Sequence, residues 1–240
     1  MDGFIDHYYR DPSAGQPYYQ RGAIVWLPSS FLMDSFFRLT PDHYNPAKKA
    51  PDFYTAKKFE PADLHKRVAG LFHHAPVYDQ ELGLNEEFVI QRMKLRKGVI
   101  FSAAIEAPNL LPADKKRVPA HWYHDCFVVL PIYTLEDAKK NPKFPARFIE
   151  YIKAYAYPQM FHLKEDYGKG MRQSAIRFDR MQIVHKQYLQ AANVWLSEDI
   201  LYALDEWFRF YVFGELDEQS GLVAQYRKTM LAKLAPSASS

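Results

Sequence analysis

Ser174-Ala175-Ile176-Arg177-Phe178-Asp179-Arg180-Met181-Gln182-Ile183 is the stretch on which the reading of this chain turns. It reads as an apolar-anchored strand that carries an arginine and an aspartate two residues apart. Side chains at i and i+2 of a strand share a face, so Arg177 and Asp179 are expected side by side on one surface. Such a pair is either a surface ion pair, worth about 0–1 kcal/mol, or an acid/base pair that works without a metal. Deciding between them requires the rest of the chain.

Other strands surround it. Gly22-Ala23-Ile24-Val25-Trp26-Leu27 predicts a first strand, ended by Pro28. Leu95 to Ser102 predicts a second. Cys126-Phe127-Val128-Val129-Leu130-Pro131-Ile132-Tyr133 is the best apolar run in the chain and predicts a buried strand. Pro131 within it implies a bulge, an edge or a strand end. Met160–Leu163 predicts a short strand, Tyr167–Gly170 a turn, and Gln173–Phe178 and Met181–His185 the last strands.

Helices are expected at two places near the C-terminus. Ser197 supplies an N-cap, with Glu198 and Asp199 in the first turn. Leu201, Leu204, Phe208 and Tyr211 then recur at helical spacing up to Gly214. A second helix is expected at about Leu222–Leu234, with Val223, Tyr226, Met230 and Leu234 on one face. Shorter helices are expected at Asp63–Phe72 and Ala146–Ala154.

Residues 1–20 read as a Tyr/Pro/Gly-rich arm and 236–240 as a polar tail. Prolines 28, 41, 46, 51, 61 and 76 interrupt residues 28–88, which suggests a long irregular segment serving as a lid, a binding loop or a partner surface. Residues 106–121 read as an exposed loop.

Composition bounds the function. The chain has 240 residues, 48% hydrophobic, so it can build a core and is not globally disordered. A net charge of +3 is only weak support for a polyanionic partner. The single cysteine, Cys126, excludes an internal disulfide and fits a reducing compartment. With no signal peptide or membrane span visible, a cytoplasmic location is expected. His121-Trp122-Tyr123-His124-Asp125-Cys126 has the spacing of metal ligands but lacks a fourth, so no metal and no cofactor is expected.

Four blocks in order resemble the PemK/MazF toxin family. Gln20–Leu27 resembles its opening strand, and Leu95-Arg96-Lys97-Gly98-Val99-Ile100-Phe101-Ser102 its second block. Val128–Thr134 resembles its third strand. Ser174–Lys186 resembles the block that carries the family's aspartate, preceded in some members by an arginine two residues before. The resemblance implies a mainly β chain with α elements: an SH3-like, PemK/MazF-type small β-barrel with long loop insertions and C-terminal helices. It makes 21–235 a single domain with insertions at about 28–94 and 136–158.

What the resemblance implies about function is metal-independent cleavage of single-stranded RNA through a 2′,3′-cyclic phosphate. The substrate's own 2′-OH attacks phosphorus, so the protein must supply a base, an acid and cations. Asp179 would be the base and Arg177 the acid or charge stabiliser. Stabilisation is physically easier, because a guanidinium holds its proton above pH ~12. Arg96 would grip phosphate. Tyr133, Thr134 and Lys97 would line the substrate. Tyr133 stands where the family has a threonine and could stack on a base or block the cleft. A homodimer and an antitoxin partner are implied, and no membrane. Lys97, Ala23 and Arg180 also depart from the family's pattern. The alternative is a catalytically inactive module of the same fold that binds nucleic acid or a partner protein.

Overall fold

The computed structural model describes residues 5–15, 17–30, 36–45, 50–59, 89–90, 93–102, 126–219 and 221–234. The strands are β1 (Tyr9–Arg10), β2 (Ala23–Ser30), β3 (Phe36–Asn45), β4 (Ala50–Phe59), β5 (Val89–Ile90), β6 (Met93–Ile100), β7 (Cys126–Thr134), β8 (Met160–Leu163), β9 (Ser174–Arg177), β10 (Gln182–His185) and β11 (Gln190–Leu196). The helices are α1 (Ala146–Lys153), α2 (Glu198–Phe213) and α3 (Leu222–Leu234). The chain divides into two compact units, residues 30–94 and the remainder. The expected helix at Asp63–Phe72, the loop 106–121, His121–Asp125 and the tail 236–240 lie outside the described residues.

The larger unit is mainly β, a curled antiparallel sheet with helices. Its strand order is β1-β11-β2-β6-β7-β9-β8, with β10 also paired to β7. Alternation along the strands sends apolar side chains to both faces. Ile24, Val99, Leu130, Ile132, Phe161, Leu163 and Ile176 belong to one core cluster, together with Ile200, Leu204, Trp207, Val223 and Tyr226 of α2 and α3. Val25, Leu27, Ile100, Phe127, Val129 and Trp195 form a second cluster. The near-continuous apolar run of β7 follows from this, since its residues are needed on two sides.

Pro131 sits inside β7, paired with Gly98 of β6. The backbone N–H and C=O of Val128 turn toward β6, where they meet Ser102 Oγ and the Phe101 N–H. Backbone groups alternate sides along a strand, so Pro131 presents its missing N–H to the opposite edge. On that edge β10 pairs residues 126–129 and β9 pairs residues 132–134. The gap between the two strands is a 3-10 turn, Phe178–Arg180. The break between the two last strands is where the sequence places it, but the expectation that Arg177 and Asp179 share a strand face is corrected: Arg177 ends β9 and Asp179 lies in a turn beside a position that cannot donate to a ladder.

The sheet curls until its two end strands approach. Tyr9 of β1 donates its hydroxyl to the Lys164 carbonyl, just past β8, at 2.7 Å. Asp11 pairs with Lys169 nearby. Burial pushes the Tyr9 phenol far up from its ordinary value, with the charge of Tyr8 acting in the same direction. The N-terminal arm thus supplies a strand and a clasp.

The helices begin and end as expected. Ser197 Oγ accepts from the Ile200 N–H, and Gly214 closes α2 at φ 72°. Glu206, from within α2, accepts from the Val223 and Ala224 N–H groups at 3.1 Å each and so caps α3. β2 runs through Pro28 to Ser30 rather than stopping at the proline. β11 was not expected from the sequence.

Residues 30–94 hold a three-stranded antiparallel sheet of order β4-β3-β5. Within the described residues 36–45 and 50–59 this corrects the expectation of a long irregular segment over 28–88, of which 60–88 lie outside the described residues. Its prolines sit where ladders are incomplete. Pro51 is on the edge strand β4, and Pro41 lies beyond the Phe37–Arg38 stretch that β5 covers.

Candidate functional site

Arg96, Tyr133 and Arg177 come from three adjacent strands, β6, β7 and β9. Strand alternation puts Arg96 on the face of Gly98 and Ile100, and Tyr133 on the face of Val129. Along β7 that face carries Val129 of the second core cluster, then Tyr133, then Leu135 beyond the strand's end. Leu135 belongs to a third cluster with Ile149 and Ile152 of α1. Tyr133 thus interrupts an otherwise apolar stripe.

The two guanidiniums converge on that ring. Arg96 Cζ lies 4.2 Å from the Tyr133 ring centroid. Arg177 Cζ lies 5.6 Å from the same centroid. Both distances fall within cation–π range. A flat ring lets two cations approach because each gains from the electron-rich face.

Asp179 joins them from the 3-10 turn. Arg177 Nε donates to Asp179 Oδ1 at 2.7 Å and an Arg177 terminal nitrogen donates to Oδ2 at 2.5 Å. This is a forked, charge-assisted pair. Arg180 Nε stands 3.6 Å from the same Oδ2. The Arg177 and Asp179 side chains are 23% and 29% exposed, so water screens the pair only in part.

The electrostatics follow. Burial alone would raise the Asp179 carboxyl. The hydrogen bonds and charge of Arg177, with the charge of Arg180, outweigh it and hold the carboxyl below its ordinary range. The Arg177 guanidinium is held above its ordinary value, first by its hydrogen bond to Asp179, against the effect of its own burial. The phenols of Tyr133 and Tyr211 act on it in the same direction as Asp179.

The other two expected residues lie elsewhere. Lys97 follows Arg96 and so turns to the opposite face. Its ammonium donates to the Gly170 carbonyl at 2.8 Å, touches Met171 Sδ and lies 5.3 Å from the Trp26 ring centroid. Burial, then the charge of Arg172, lowers its pKa. Thr134 likewise turns away from Tyr133, and its hydroxyl accepts from Lys143. The structure therefore brings together Arg96, Tyr133, Arg177 and Asp179, and separates Lys97 and Thr134 from them.

Two neighbours went unassigned in the sequence. Arg180 adds a cation to Asp179. Tyr211, whose place in the helical stripe of α2 fits either core or interface, is 37% exposed and close enough to act on Arg177. Only the adjacency of Arg180 to Asp179 was a usable signal.

No family model matches the chain, and no match is found among curated proteins or solved structures. Among the described residues no helix is long and apolar enough to cross a membrane. What this patch can do chemically is hold an anion with oxygens to share. It offers two guanidiniums in contact with one aromatic ring, with a carboxylate alongside.

Proposed function

We propose that this patch binds single-stranded RNA and that the chain is a PemK/MazF-like endoribonuclease on an SH3-like barrel. The observation that carries this is the convergence of Arg96 and Arg177 on the Tyr133 ring, with Asp179 in contact. Guanidiniums grip phosphate oxygens in pairs. An aromatic ring in contact with them suits a strand whose bases are unstacked and available.

In the cleavage step, Asp179 takes the proton of the 2′-OH as that oxygen attacks the adjacent phosphorus. The P–O5′ bond breaks, leaving a 2′,3′-cyclic phosphate and a 5′-OH, whose proton comes from solvent. Arg177 and Arg96 stabilise the charge on the phosphorane. The protein acts in the cytoplasm as a homodimer and is neutralised by an antitoxin.

One observation favours the second reading, a module that binds nucleic acid without cutting it. Asp179 is held ionised by two arginines, and a carboxylate so stabilised is a weak base.

The test is incubation with single-stranded RNA in EDTA. Cleavage with 2′,3′-cyclic phosphate ends, reduced about 10²–10⁴-fold by Asp179→Ala, supports the nuclease. Binding without cleavage selects the second reading. Absence of binding sinks both.

A further inference from the structure

Arg177 presents its fork to Asp179 with the geometry it would use toward two phosphate oxygens. The site therefore already contains a competitor for its own ligand. The turn that carries the competitor is anchored independently of it. Phe178 is 2% exposed, its N–H donates to the Gln159 carbonyl at 3.0 Å, and the Met181 N–H closes the turn on Phe178 at 3.1 Å. A second cation stands near the same carboxylate, Arg180 Nε at 3.6 Å from Asp179 Oδ2. The carboxylate can leave Arg177 without becoming an isolated charge, which partial burial would make costly.

We propose that Asp179 stands in for an RNA phosphate on Arg177, and that bound RNA displaces it onto Arg180, which serves as a positioning residue. This rests on the RNA-binding reading above. Displacement also resolves the difficulty of a weak base. A carboxylate that has lost its bidentate partner holds a proton more strongly, so binding itself readies Asp179 for the 2′-OH. Among the described residues the other groups facing the exchange are Arg96 and the phenols of Tyr133 and Tyr211. None of these is a carboxylate that could replace Asp179.

The test measures binding of a short 2′-O-methyl RNA of randomised sequence, which cannot be cut by this route, using fluorescence anisotropy at neutral pH. Asp179→Asn is expected to bind several-fold more tightly than wild type. The gain should exceed that of Glu215→Gln, which neutralises an exposed acid elsewhere. Asp179→Ala serves as a second variant should the amide distort the turn. In an Arg177→Gln background the gain from Asp179→Asn should shrink to that of the control. Arg180→Gln should weaken binding, Arg180→Lys should restore it, and neither should matter once Asp179 is Asn.

Wild-type binding with Asp179→Asn and Asp179→Ala no tighter than the control overturns the exchange while leaving the RNA reading intact. Equal weakening by Arg180→Gln in both backgrounds overturns the positioning role, because Arg180 would then touch the RNA itself. Failure of every variant and of wild type to bind RNA removes the underlying reading, and the exchange with it.

Discussion

The Arg96 guanidinium lies against the Tyr133 ring, 4.2 Å from its centroid, although the two residues belong to different strands. Arg177 approaches the same ring at 5.6 Å. One side chain therefore contacts two of the three arginines of the patch, and several expectations come from that arrangement.

Removing the ring should loosen both arginines together. Each cation–π contact at a partly exposed site is worth about 0.5–1 kcal/mol. Tyr133→Ala and Tyr133→Leu should each lower nucleic-acid affinity by about fivefold or more, and Tyr133→Phe should stay near wild type. Titration of single-stranded RNA against each variant checks this. Equal affinity for Tyr133→Ala and wild type would mean that the ring positions nothing.

Acid should remove one ion pair selectively. The folded-state pKa of Asp179 is depressed, so its contribution is fully present above the unfolded value of about 3.9. It is lost as pH falls through the depressed value. The stability difference between wild type and Asp179→Asn should be about 1 kcal/mol or less near neutrality, because the pair is partly solvated. It should shrink toward zero as pH falls below the ordinary carboxylate value and through the depressed one. Urea denaturation of both proteins across that range reads it directly.

Arg96 and Lys97 are neighbours in sequence with opposite destinations. Arg96→Met should weaken RNA binding about tenfold, the loss of one charge-assisted contact. Lys97→Met should leave it within about twofold, because its ammonium is bonded to Gly170 on the other face. Comparable losses from the two substitutions would contradict the assignment of faces.

Gly98 is where two strands approach too closely for a side chain. A Cβ there would lie 2.7 Å from Leu27 Cδ2, 2.7 Å from Val129 Cγ1 and 3.1 Å from the Leu130 carbonyl oxygen. Gly98→Ala should cost about 1–3 kcal/mol of stability, the usual range for overpacking. Because Arg96 is two residues away on the same face, RNA affinity should fall as well. A denaturation midpoint unchanged from wild type would show that the strands can part without cost.

Much of the larger unit was legible in residue patterns. β7 announced itself as a β-branched run, and α2 by its Ser197 cap and Gly214 stop. Met160–Leu163 was placed to the residue. β11 was missed for a physical reason. Its register shifts between Ala191 and Trp195, and Asn193 takes φ 55° within it, so the alternation that marks a strand is broken. β3 and β4 were hidden by prolines that read as breakers but sit at incomplete ladders. At the site, Arg177 and Asp179 were legible as a pair, though for a different backbone reason than a shared strand face. Tyr133 stood out only as a departure from the PemK/MazF pattern that its strand resembles. That it would hold two arginines depends on contacts between strands, which no local pattern encodes.

The position of β11 between β1 and β2 has a consequence for how the chain is made. β2 is synthesised early, yet its neighbour on that side is residues 190–196. The clasp of Tyr9 on Lys164 also joins distant parts of the chain. During synthesis the N-terminal strands must wait for most of the polypeptide with unpaired edges, a state prone to aggregation. Such non-local pairing slows folding. A ribosome stalled before residue 190 would hold a nascent chain with the Arg96–Tyr133–Arg177 strands already made and β6 available on one side of β2, but with the other edge of β2 still open, so closure of this sheet is a late event set by its last strand.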